Sequence, residues 1–219
     1  MEPRLLAFVS LAFVLGCTEE PSSDRSGVDG GSLGVDGGAG ADAGPVNGDD
    51  AGLVDGVDAG VAGGGCPPTG PFGTAAGDIA PDVMLLDCDD NPVSLHETLC
   101  EAEVGWVFEY AEWCPPCRSF ARDDVENIWQ AHRDQGLQAL VVVSADASYD
   151  APTAELCAEV KERYGLTMPV LYDPTGALQE GLDVASNAVD VVFSPGVRIE
   201  WKGRYDSAQV DDQISAVLE

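Results

Sequence analysis

The chain has 219 residues and a formal net charge of −29 at pH 7, with 39 acidic residues against 10 basic ones. So acidic a protein repels phosphate backbones and anionic headgroups, which argues against nucleic acid as a partner and against electrostatic docking to a membrane. Composition shifts abruptly near residue 65, so the two parts are read separately.

Residues 5–15 are apolar apart from Ser10, preceded by Arg4 and followed by Gly16 and Cys17. The run is too short to span a bilayer and has the length of a signal-peptide apolar region. Val14-Leu15-Gly16-Cys17 resembles the lipobox of bacterial lipoproteins, which implies that Cys17 is lipidated and becomes the mature N-terminus. An ordinary cleaved signal with a chance cysteine is the alternative, and either reading sends the protein out of the cytoplasm. Residues 18–65 are built from Gly, Ala, Asp and Val, repeat GVDGG at 27–31 and 34–38, and set ten acids against Arg25 with no aromatic residue. Such a segment cannot bury enough apolar area to offset its ordering entropy, so it reads as a disordered acidic tether. It contains no D-x-[DN]-x-[DN]-G calcium loop. Residues 66–219 are then one domain of ordinary size.

Within that domain, residues 83–86 and the Asn91-Pro92 turn predict an N-terminal strand or hairpin. VGWVFEYA, at 104–111, reads as a strand running straight into a C-P-P-C motif. Phe120, Ala121, Val125, Ile128 and Trp129 then recur at helical spacing, with Gly136 as the stop. LQALVVV at 137–143 suits a strand covered on both faces. Pro152 opens a second helix carrying Leu156, Cys157, Val160 and Tyr164, which Gly165 ends. A short strand at 168–172 follows. After a Gly-containing stretch, 189–193 and 197–201 flank Ser194-Pro195-Gly196 as a hairpin, and the last dozen residues look helical.

EYAEWCPPC on a strand-to-helix junction, within this order of elements, resembles the thioredoxin-like superfamily. GDIAPDVMLLDCDDNPVSL resembles the N-terminal extension of TlpA-like and AhpC/TSA-type redoxins. The resemblance covers residues 77–219 and implies an α/β thioredoxin-like fold: a central mixed β-sheet flanked by helices, with an N-terminal β extension. It also implies thiol-disulfide exchange without a cofactor. A disulfide exchanger needs one stabilised, exposed thiolate, and the first turn of a helix offers free N–H groups and a positive dipole end. Cys114 stands there as nucleophile; Cys117, one turn on, is placed to resolve the mixed disulfide. Trp113 would shield the sulfur, and Pro115 and Pro116, lacking N–H groups, would leave the pKa of Cys114 only moderately depressed.

Two positions depart from the family. Thioredoxins carry a buried acid six residues before the first cysteine, where this chain has Phe108. Glu109 is next along but points to the opposite face of a regular strand. The family also places a cis-proline before the terminal hairpin. That position falls at or near Ala188, with Met168-Pro169 as the other choice, and a non-proline peptide there would be trans.

Other readings of the C-P-P-C motif are weaker. A zinc site lacks a second C-x-x-C and has only His96 and His132 to draw on. A purely structural bridge would close too small a loop to stabilise much. A peroxidase would resemble P-x-x-x-T-x-x-C, where this chain has Val107 and Ala111. A copper-binding relative would need a distal histidine that only His132 could mimic. Of the remaining cysteines, Cys88 and Cys100 flank the Asn91-Pro92 turn, so the expected structural disulfide is Cys88–Cys100, leaving Cys66 to Cys157 by elimination. A free buried thiol at Cys157 stays open as well.

The leading expectation is an envelope thiol-disulfide oxidoreductase, anchored in the membrane by lipid alone. It would exchange with protein thiols or disulfides and with a membrane electron donor or acceptor. The alternative is a redox-weak or non-enzymatic surface lipoprotein that keeps the fold.

Overall fold

The computed structural model describes residues 65–184 and 189–219; the signal segment, nearly all of the tether and Ala188 lie outside the described residues. All eight residues of strand β3 (Val104–Ala111) are buried. A strand is buried on both faces only when it is central and covered twice. β3 pairs in parallel with β4 (Leu137–Ala145) and antiparallel with β6 (Asp190–Ser194). Beyond β6 lies β7 (Arg198–Gly203), antiparallel to it. On the other side β4 pairs in parallel with β5 (Val170–Tyr172). β5 in turn pairs antiparallel with β1 (Met84–Asp87), and β1 with β2 (Pro92–Ser94). The mixed sheet therefore runs β2-β1-β5-β4-β3-β6-β7.

Alternation along β3 divides the core. Trp106, Phe108 and Tyr110 enter one apolar cluster, which also holds Cys114, Cys117, Phe120, Cys157, Val160, Val210 and Ile214. These come from α2 (Pro115–Phe120) and its N-cap Cys114, from α4 (Ala154–Tyr164) and from α6 (Ser207–Leu218). Val107, Leu140 and Val142 face the other cluster, with Leu95 and Leu99 of α1 (Leu95–Leu99) and Leu178 and Leu182 of α5 (Ala177–Leu182). Ala80 and Val83 join this second layer. The N-terminal segment first lies along β7, where Ile79 bridges Arg198 and the Ala80 amide bonds the Val197 carbonyl at 3.0 Å. It then reaches the opposite edge as β1 and β2, so the extension covers part of the exposed edge of β7.

The helix expected from the cysteine motif to Gly136 is present. It runs as α2, a π turn at Ala121–Val125, α3 (Glu126–His132) and a 3-10 turn at Arg133–Gln135. Gly136 closes it with φ +103, in the left-handed region where a side chain is strained. The second expected helix is capped by Thr153, whose hydroxyl accepts from Leu156 N at 3.2 Å. The terminal hairpin is β6 and β7, and α6 is the final helix. Two short helices, α1 and α5, were not expected.

The expected Cys88–Cys100 and Cys66–Cys157 pairings are corrected: the disulfides are Cys66–Cys100 and Cys88–Cys157. Nearness along the chain misleads because the sheet stands between the partners. Cys100 ends α1 and is buried in the layer of Val107, whereas Cys157 is buried in the layer of Phe108 and Cys88 packs against that same layer. The β1–β5 pairing, Leu86 to Tyr172 and Asp87 to Leu171, carries Cys88 to α4. The possibility of a free thiol at Cys157 falls with it.

Candidate active site

The end of β3 delivers the cysteines. Cys114 is the N-cap of α2, with extended backbone angles (φ −92°, ψ 104°), and its Sγ accepts the Cys117 amide at 3.2 Å. Pro115 and Pro116 occupy the first two helical positions, where a missing N–H costs nothing. They also leave Cys117 as the first amide of the turn able to reach the sulfur. Cys114 and Cys117 form a disulfide with S–S 2.04 Å and Cα–Cα 5.3 Å. Cys114 retains 5 % exposure and Cys117 none, so of the pair only Cys114 reaches the surface.

Trp113 is partly buried and stacks on Tyr149, with ring centroids 4.8 Å apart and planes 25° from parallel. Tyr149 is 71 % exposed, and together the rings form an aromatic ledge beside the cysteines. The ledge borders a cleft of about 320 Å³ that Ser144, Asp150, Asp173 and Gln179 also line. Pro115 and Pro116 are exposed at the helix start.

Two residues before Cys114, Glu112 fixes the loop to α4. Its carboxylate accepts two bonds from Arg163 Nη1, at 2.7 and 2.8 Å, and one from the Tyr110 hydroxyl at 2.5 Å. Arg118 Nη1 donates to the Glu112 carbonyl at 3.3 Å. Tyr110 also meets the Tyr164 hydroxyl at 3.1 Å. Burial first, and then its bond to Glu112, holds the pKa of the Tyr110 phenol well above its ordinary value. The bond to Glu112 likewise raises the pKa of the Arg163 guanidinium.

Two buried acids flank β3. Glu109 lies, as its strand position implied, on the face away from Phe108. It is fully buried, and its Oε1 accepts Gln179 Nε2 at 2.6 Å. Burial pushes its carboxyl up to about 7, against the opposing hydrogen bonds of Gln179 and Ser144. The second acid, Asp190, was missed by sequence reasoning. It opens β6 directly opposite Phe108, is fully buried, and accepts Trp106 Nε1 at 3.0 Å on Oδ1. Burial pushes it up to about 7 as well, against Trp106 and the Tyr205 backbone. Its only signal in the sequence is an acid placed at the head of the apolar run VVF.

The other expected residues stand elsewhere. His132 ends α3 and binds Asp211 Oδ1 at 2.7 Å, while His96 Nε2 meets the Ala80 carbonyl at 2.8 Å. Among the described residues no group of three or more His, Cys, Asp or Glu is arranged to hold a metal ion. Pro169 directly precedes β5, two strands from β3, and its peptide is not among the cis bonds of the described residues, which are Cys66–Pro67 and Gly70–Pro71. Val189, just before β6, is the residue whose carbonyl accepts the Glu109 amide, at 2.8 Å.

Among solved structures, the chain is similar to an uncharacterised conserved protein of Geobacillus kaustophilus at 20% identity and a TM-score of 0.58, covering 67% of this chain and 83% of that one. A candidate thiol:disulfide interchange protein DsbE of Chlorobium tepidum matches at 21% identity and a TM-score of 0.54, over 67% of this chain and 100% of that one. A thiol:disulfide interchange protein from Bacteroides sp. matches at 18% and 0.52, over 64% and 91%. Likeness at these identities establishes the thioredoxin-like fold. No curated protein matches at a significant level. The Redoxin family matches residues 75–197, more than half of the chain, and those bounds enclose β3, the cysteine pair and β6. The chain belongs to the Redoxin family, and its disulfide-forming pair at the head of α2 makes it a thiol-disulfide oxidoreductase.

Proposed function

We propose that this protein is an envelope-tethered exchanger of protein disulfides in which Cys114 attacks the client and Cys117 resolves the mixed disulfide. The observation that carries the reading is the position of Cys114 as N-cap of α2, with its sulfur accepting the Cys117 amide and bonded to Cys117 Sγ. An N-cap thiolate is stabilised by the helix dipole, so Cys114 is the better leaving and attacking group of the two. Cys117, with no exposure, is reachable only from Cys114. Trp113 with Pro115 and Pro116 shapes the opening through which the client sulfur arrives.

In this reading Cys17 carries the lipid, residues 18–65 are the tether and residues 66–219 the working domain. A flexible 48-residue segment spans about 35 to 40 Å, enough to reach clients near the membrane. The partners are protein thiols or disulfides and a membrane electron donor or acceptor. No helix among the described residues is long and apolar enough to cross a membrane. The second reading, a redox-weak lipoprotein, draws on the 5 % exposure of Cys114.

A trapping experiment separates the two. Cys117→Ser should accumulate mixed disulfides with envelope proteins, and Cys114→Ser should trap none. Trapping by the Cys114→Ser variant would reverse the roles, and no trapping by either would favour the redox-weak reading.

A further inference from the structure

The parallel strands β3, β4 and β5 all direct their carboxyl ends at the cleft of about 320 Å³, and that end of a parallel sheet is where loops leave room for a ligand. Trp113 stands just past β3, Ser144 lies at the end of β4, and Tyr149 and Asp150 belong to the loop after it. Asp173 follows β5, and Gln179 reaches in from α5. Because Trp113 immediately precedes Cys114, the cleft opens one residue from the reacting sulfur. Its wall is aromatic. Tyr149, the outer ring of the ledge, has φ +69, a backbone angle that a bulky side chain adopts only at a cost. The fold nonetheless holds this exposed ring against Trp113, and Asp146 braces its loop by accepting the amides of Ser148 at 2.7 Å and Asp150 at 2.9 Å.

The floor is acidic. Asp150 and Asp173 line the cleft, and no described Lys or Arg does. Asp173 is held in place by the amides of Thr175, Gly176 and Leu178. Behind the floor lies Glu109, which is fully buried. Its Oε1 accepts Gln179 Nε2 at 2.6 Å and Ser144 also bonds the carboxyl, yet Oε2 has no hydrogen-bond partner. Gln179, Ser144 and Asp173, the side chains that act on this carboxyl, are all cleft residues, so it is aimed at the cleft. Burial above all, with the charge of Asp173 adding to it, makes ionisation of Glu109 costly. A cation brought to the floor offsets both effects. A guanidinium suits the whole lining, because its plane stacks on an aromatic face while its edge donates to carboxylates. Gln179 Oε1 is turned to accept from it as well, since Nε2 is taken by Glu109.

We propose that this cleft is a client subsite that takes an arginine lying within three residues of the client's reacting cysteine. The inference rests on the exchange reading above and names the class of client that the site selects. The guanidinium stacks on Tyr149, with Asp150 at the mouth and Gln179, Asp173 and Glu109 at the floor. Docked there, the arginine holds the client sulfur beside the exposed edge of Cys114. Only 5 % of Cys114 is exposed, so positioning of this kind contributes directly to the rate of attack. The chain's net charge of −29 draws basic clients toward it in the first place.

Disulfide-bonded peptides with a single arginine at each position within three residues of the cysteine, and the matching citrulline peptides, provide the test. Citrulline keeps the length and planarity of arginine and removes its charge. In exchange with the full chain, arginine at its best position should raise kcat/KM about 10-fold over citrulline, mainly through KM. Glu109→Gln, Asp150→Asn and Tyr149→Gly should each bring that ratio toward one. Glycine suits φ +69, so the last variant removes the ring without straining the loop. A general change in exchange cancels in the ratio. A cysteine-free arginine peptide gives a readout that needs no exchange: it should shift the Trp113 indole resonance of the oxidised protein in NMR, and its citrulline counterpart should not. Equal kcat/KM for the two peptides at every position, a ratio unchanged in all three variants, or an unmoved Trp113 resonance overturns the proposal. A wild type that exchanges with none of the peptides while the Trp113 resonance still responds to arginine would overturn the exchange reading and leave the arginine site standing.

Discussion

Glu109 and Asp190 are carboxyl groups buried on opposite faces of the sheet, and each is held near 7 by its burial. Their ordinary values are 4.5 and 3.8. A raised folded-state value means that the native protein binds the proton more tightly than the unfolded chain does. The stabilisation is therefore complete below about pH 4 and is lost as pH rises through about 7. Carboxylates held low, such as Asp87 by Asn91 and Asp123 by Arg122, act in the opposite sense but below the ordinary carboxylate range. Urea unfolding should show the oxidised domain more stable at pH 5 than at pH 8, by roughly 2 to 5 kcal/mol. The double variant Glu109→Gln, Asp190→Asn should flatten most of that slope, and a wild type equally stable at both values would refute the assignment. The sequence made Glu109 visible, as an acid inside an apolar strand. It could not reveal Asp190 as the acid on the cysteine side, because that depends on which residue of β6 falls opposite Phe108.

The two structural disulfides act on whole elements. Cys88–Cys157 ties the β1 end of the N-terminal hairpin to α4, and Cys66–Cys100 ties the entering chain to α1. They close loops with sequence separations of 69 and 34, for which chain entropy gives about 4 kcal/mol each. Replacing Cys88 and Cys157 together by Ser should lower stability by about 2 to 5 kcal/mol and Tm by roughly 4 to 20 °C. Exchange through the 114–117 pair should persist below the new Tm. Calorimetry with an exchange assay on the same sample checks both, and loss of exchange with unchanged Tm would contradict this division of roles. The long elements were legible because β3 and β4 are near-continuous apolar runs and the helix from Cys114 to Gly136 carries an apolar period. LHETL and ALQEGL were not. Each is too short for a period, and Gly181 reads as a breaker, yet it is a packing position: a Cβ there would meet Val83 at 2.6 Å. Both helices form because Leu95, Leu99, Leu178 and Leu182 have a sheet face to cover.

For the whole molecule, the proposed lipid at Cys17 and the acidic tether predict a separation between anchoring and chemistry. Cys17→Ser should move the protein from the membrane fraction to the soluble envelope fraction, while the purified domain keeps its exchange rate. Fractionation followed by immunoblotting checks the first part, and a variant still bound to membranes would overturn the anchor.

The sequence by itself determined the fold class, the order of the long elements and the place of the cysteine pair. Each of these is local: an apolar period, a capping residue, a proline where no N–H is needed. Tertiary structure alone decided the disulfide pairing, the burial of Cys114 to 5 % exposure and the strand that brings a carboxyl to the layer of Cys117. These turn on which residues of distant segments share a face of the sheet, and strand register sets that relation where separation along the chain cannot.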